Sequence, residues 1–128
     1  MQNLGLLVLR VSLGAMMLFQ HGWPKLNNFA ALATSFADPL GVGSKISLAL
    51  TVFSEAFCAA ALIVGFLSRL ATVPLLITML VAAFIVHGAD PFAKKEMALL
   101  YASGFLTLIL TGPGEFAVDG LFKKKRPF

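Results

Sequence analysis

Two charges stand inside apolar runs, Arg10 in one and Glu55 in another. An ionisable group placed within a membrane costs roughly 2.5–3.5 kcal/mol on insertion scales, so such residues are paired, line a polar cavity, or both. His21 and His87 are the only histidines. Histidine exchanges protons near neutral pH, binds metal, or hydrogen-bonds a carbonyl. Glu96 is a further carboxylate, and Lys25, Trp23 and Arg69 lie at the ends of apolar segments. The chemistry open to this set is proton exchange with an oxygen atom and charge stabilisation by a neighbouring cation. Other templates fail. GVG at 41–43 lacks the Lys-Ser/Thr of a phosphate loop, and no GxSxG or HExxH occurs. Cys58 is the single cysteine and sits in an apolar run, which favours inert packing, and no metal site is expected. Scattered Met16, Met17, Met79 and Met97 read as core filling.

The elements that position these residues follow from composition. Of 128 residues, 59% are hydrophobic and 12% charged. Mean hydropathy is +0.89. A soluble fold of this size has too much surface for so few polar groups to cover. Disorder and nucleic-acid binding are excluded too, because the aromatics lie in apolar runs instead of on a basic face. The expectation is an all-α integral membrane protein, lodged in a lipid bilayer, with about four spans of some 20 residues each.

These are placed at about 4–22, 46–67, 70–87 and 96–112, forming a transmembrane four-helix bundle in one domain. The first run, interrupted by Arg10 and lacking a small-x-small site, reads as a retained helix ended by Trp23-Pro24. Phe29, Leu32 and Phe36 predict a short amphipathic connector helix between helices 1 and 2. Asp38-Pro39 and Gly41-Val42-Gly43 then break the chain, and Ser44 is the expected cap of the second helix. Net charge is +4, with Lys123, Lys124, Lys125 and Arg126 in a basic tail at 123–128. Four spans put both termini on one side. That side carries five Lys and Arg against four on the other, which favours cytoplasmic termini.

Three stripes run at helical spacing: Arg10, Gly14, Met17, His21, Lys25; Ser47, Thr51, Ser54, Glu55, Cys58; and Glu96, Leu100, Ser103, Thr107, Thr111. All three are expected to face inward. An Arg10–Glu55 contact is predicted, either as a packing pair or as the floor of a polar cavity. His21 and His87 end odd-numbered spans, so they meet at one face, with Lys94, Lys95 and Glu96 nearby.

The chain resembles the DoxX family of small four-helix membrane proteins. The resemblance rests on Leu9-Arg10-Val11 with Gly14, His21-Gly22-Trp23-Pro24-Lys25-Leu26, Glu55, and Gly65-Phe66-Leu67-Ser68-Arg69-Leu70. It continues through His87-Gly88, Glu96-Met97-Ala98-Leu99-Leu100-Tyr101, and Gly112-Pro113-Gly114 with Asp119. The resemblance implies a bacterial cytoplasmic (inner) membrane protein. It also implies redox work, since family relatives include the membrane subunit of a thiosulfate:quinone oxidoreductase and a partner of soluble redox enzymes. The expectation is a membrane component of a redox system, a quinone-linked oxidoreductase subunit. His21, His87, Glu55 and Glu96 would move protons, and Arg10, Lys25, Trp23 and Arg69 would hold the quinone. A soluble redox protein and a second copy of the chain are the expected partners. The alternative is a non-catalytic scaffold or a small-solute carrier.

Overall fold

The computed structural model describes residues 1–121, and the basic tail at 123–128 lies outside the described residues. All regular structure among the described residues is helical. Four long helices form the body: α1 (Gln2–Asn27), α3 (Ser44–Val64), α4 (Ser68–Val86) and α5 (Phe92–Thr111). The short α2 (Phe29–Leu32) lies in the connector. Helices α1, α3 and α4 are long and apolar enough to cross a membrane. Helix α5 has the length but carries Lys94, Lys95 and Glu96 in its first turns.

Each of the three apolar helices contains a π-helical turn: Leu18–Gly22, Phe53–Cys58 and Ala82–Val86. The first corrects the expected end of α1. The helix runs on through Trp23-Pro24 to Asn27, and His21 lies inside it. The widened turn shifts the hydrogen-bond register just before Pro24, where the missing amide and the ring would otherwise break the helix.

Helices α1 and α3 are antiparallel and close. A Cβ on Gly14 would stand 2.6 Å from Ile63 Cγ1 and 3.1 Å from the Ala59 oxygen. A Cβ on Gly22 would stand 2.3 Å from the Glu55 oxygen. Small residues let backbones approach where lipid supplies no hydrophobic drive between helices. Met17, Leu62, Leu75, Phe105 and Leu108 form the main core among α1, α3, α4 and α5. The connector's Phe29, Leu32 and Phe36 pack on Leu48, Val52 and Ala56 of α3.

The turn between α3 and α4 is built by Gly65, in the left-handed region at φ 78°. The Phe66 amide reaches back to the Ala61 carbonyl and the Gly65 amide to Leu62, the double bond that closes helix ends of this kind. Asp119 then caps α4 from the far end of the chain. Its two carboxylate oxygens accept from the amides of Leu67 and Ser68, at 2.7 and 2.8 Å. The second helix begins differently from the expectation as well. Ser44 makes no capping bond. Asp38 instead accepts from the amides of Val42 and Gly43 and from the Ser47 hydroxyl, at 3.0, 2.8 and 2.7 Å.

Candidate functional site

The α1–α3 register decides which charges meet. With Gly14 against Ala59 and Gly22 against Glu55, Arg10 comes opposite the end of α3, not opposite Glu55. The predicted Arg10–Glu55 pair is therefore not formed. Arg10 is 1% exposed. Its guanidinium donates to the carbonyls of Leu62 (3.2 Å) and Ile63 (2.7 Å), and to Phe116 O. The last carbonyls of a helix lack intrahelical donors and carry the negative end of its dipole, so a cation there stabilises α3. Arg10 thus ties α1, the end of α3 and the segment after α5 together.

Glu55 takes Lys25 as partner. Lys25 Nζ donates to Glu55 Oε1 at 2.5 Å. Both helices widen into π turns next to this pair. Such turns recur at functional sites because they re-aim side chains without ending the helix.

The pair lies on the wall of a cavity of about 580 Å³. His21, Lys25, Glu55, His87 and Lys94 all line it. The His21 ring meets Tyr101 edge-on, with centroids 5.8 Å apart and planes at 88°. The His87 Nδ1 lies 2.8 Å from an Asp90 carboxylate oxygen. That bond holds the Asp90 carboxyl below the usual carboxylate range, with smaller help from the charges of Lys94 and Lys95. Ser54 and Thr78 add hydroxyls that hydrogen-bond each other at 2.9 Å, and the Thr78 hydroxyl also reaches the Pro74 carbonyl at 2.8 Å. Ser47 and Thr51 are polar too, and the apolar wall includes Leu50, Phe53 and Ile77, each exposed. The cavity therefore reaches the surface beside α3 and α4. Phe36 and Leu40 of the connector cover its end.

Of the residues expected to move protons, His21, His87 and Glu55 are brought together here, and Glu96 is not. Glu96 is exposed on α5 and does not line the cavity. Of those expected to hold a ligand, Lys25 lines it. Arg10 is at the opposite end of the bundle, Trp23 is 53% exposed, and Arg69 packs over Gly112. The α5 stripe also faces outward. Ser103 and Thr107 are exposed, and their hydroxyls donate to the carbonyls of Leu99 and Ser103 one turn back. A hydroxyl satisfied by its own helix has no need of the interior. The buried face of α5 is Ala98, Tyr101, Ala102, Phe105 and Leu108.

Sequence reasoning missed Thr78, Tyr101 and Asp119 as partners. Thr78 was legible as the lone hydroxyl midway along apolar α4. Asp119 gave no local signal, because its cap spans 51 residues of sequence to Ser68.

A bundle with membrane-length apolar helices around a part-polar cavity defines a helical membrane protein. The family model DoxX matches residues 5–88, and the chain belongs to the DoxX family. That match contains Arg10, His21, Lys25, Glu55, Arg69 and His87 and stops short of Glu96. The chain is also 29% identical over 131 residues to the inner membrane protein YqjF of Escherichia coli (strain K12), covering 98% of this chain and 97% of that one. No solved structure matches.

Proposed function

We propose that the chain is a quinone-linked component of a redox system in the bacterial inner membrane, and that the α1–α3–α4 cavity receives the quinone ring. One observation carries the reading: His21, Lys25, Glu55 and His87, drawn from three elements, converge on a single cavity that also has an apolar wall including Leu50, Phe53 and Ile77. The volume of about 580 Å³ suits a small ring with substituents. The inner-membrane assignment of the similar Escherichia coli protein supports the location.

The residues present fit such a ligand. His21 and His87 would face the ring's oxygens and exchange protons with them. Lys25 would pair with Glu55 and supply positive charge at the cavity wall. Phe53, Leu50 and Ile77 would hold the ring and exclude water. A bound quinone supplies two-electron, two-proton chemistry, and a soluble redox protein would deliver the electrons. The test is mass spectrometry of solvent extracts from gently purified protein, with titration of ring analogues. Bound quinone in the natural protein and its loss in His21→Ala/His87→Ala support the reading. Absence of quinone, with no binding of any analogue, overturns it.

A second reading is a small-solute carrier. It is favoured by the π-helical turns in three consecutive apolar helices, each of which contributes residues to the one cavity. Solute flux in proteoliposomes without quinone would support it.

A further inference from the structure

The outer seam of α3 and α4 carries a second depression, a groove of about 380 Å³. Its floor is made of small residues, Cys58 and Ala61 on α3 and Ala71 on α4. Its rims are large, Phe57 and Phe66 on one side and Leu70 and Val73 on the other. Among the described residues, no charged side chain lines it. Phe53 and Pro74 line both this groove and the polar cavity, so the two adjoin there. From Phe53 to Ala61 the groove follows α3 for about 12 Å at the helical rise per residue.

We propose that the groove holds the apolar tail of the same molecule whose head sits in the cavity. Cavity and groove together form one bipartite site for a ring-headed, long-chain amphiphile. The inference rests on the quinone reading for the head and adds the class of molecule: a ring bearing an alkyl or isoprenoid chain. Three observations select this occupant. The cavity that holds His21, Lys25 and Glu55 is also lined by Phe53, which is exposed, and by Pro74, so a chain leaving a head there can pass between them. The groove starts at those two residues. Its lining is wholly apolar where the cavity's is mixed, matching a molecule with one polar end.

In a bilayer the chain moves from lipid to groove, so the gain is close packing and not escape from water. The expected preference is accordingly modest. The experiment titrates the full chain in nanodiscs with a tailless benzoquinone and with its decyl-tailed analogue, each corrected for partition into lipid. The tailed compound is expected to bind roughly three- to tenfold more tightly. Ala61→Phe fills the groove and is expected to abolish that difference while leaving tailless binding unchanged. Ala71→Leu, on the facing helix, does the same if Ala61→Phe does not fold. A photoreactive group on the tail is expected to label the 57–73 segment. Equal binding of both compounds, insensitive to either variant, overturns the bipartite site, leaves the head-group reading standing, and assigns the groove to ordinary lipid chains. Failure of both compounds to bind overturns the head-group reading and this inference with it.

Discussion

Lys25 Nζ and Glu55 Oε1 lie 2.5 Å apart on a cavity wall, with side-chain exposures of 23% and 5%. Glu55 is thus almost dry while its partner still reaches the opening. Lys25→Met strands a desolvated carboxylate, and the expected loss is about 3 kcal/mol, the low end for broken buried pairs. Adding Glu55→Gln removes the stranded charge and is expected to restore most of that loss. Thermal unfolding of both single variants and the double in one detergent checks this. Simple additivity would mean the two groups do not interact.

Gly22 gives the α1–α3 register its tightest point. The Cβ of Gly22→Ala would meet the Glu55 backbone at 2.3 Å, where nothing can rotate away. The expected cost is roughly 1–3 kcal/mol, with weakened Lys25–Glu55 pairing. Gly5 has nothing within 4 Å of such a Cβ. Gly5→Ala is therefore expected to be neutral or stabilising by up to about 1 kcal/mol through helix propensity alone. Equal losses at the two glycines would sink the close-approach account.

Arg10 serves three carbonyls on two separate segments. A lysine offers one compact charge in place of the guanidinium's planar fork. Arg10→Met removes the donor to the part-buried Ile63 and Phe116 carbonyls, while the Leu62 carbonyl keeps the Gly65 amide, and an expected loss of about 1–3 kcal/mol follows. Arg10→Lys should fall between. Ligand binding per folded molecule should be unchanged in both, since the cavity lies elsewhere. A variant of normal stability with no binding would return Arg10 to the site.

The latch at the connector is sensitive to acid. The Ser47 hydroxyl, and the amides of Val42 and Gly43, hold Asp38 below its ordinary carboxylate value. A depressed folded value means the contribution is present above the unfolded pKa of about 3.9 and is lost as pH falls through the folded value. Acid should therefore free the connector over the cavity while the bundle persists. Amide hydrogen exchange in the connector, normalised to the intrinsic rate at each pH, is expected to be slowed above the carboxylate range and released below it. Asp38→Ala should be released at both, and protection of the natural protein that does not change with acid would refute the latch.

What the sequence made legible was depth and direction. Arg10 and Glu55 stood out because a charge in an apolar run is rare, and His21 and His87 were placed at one end by helix parity alone. Partner choice was not legible. It depends on the α1–α3 register, which Gly14 and Gly22 set through backbone contacts that no periodicity encodes. The α5 stripe misled for a related reason. Its hydroxyls satisfy themselves on their own helix, so polarity there did not mark the inner face. Helix ends were blurred by the π turn before Pro24, which let α1 continue past a residue that ordinarily stops a helix.

Helix α5 decides the topology. Its charges are confined to its first turns, and Met97 onward is apolar apart from self-bonded hydroxyls. Lys94 lines the cavity mouth beside His87. Long basic side chains at a helix end reach the interface while their stems stay in lipid. We therefore expect α5 to cross the membrane as a fourth span, with both termini cytoplasmic. Fusions of green fluorescent protein and of alkaline phosphatase, made after Asp90 and after Phe128, test this. The fusion after Phe128 should fluoresce and lack phosphatase activity, and the fusion after Asp90 should do the reverse. If α5 lies on the surface instead, both positions share one side and the two fusions behave alike.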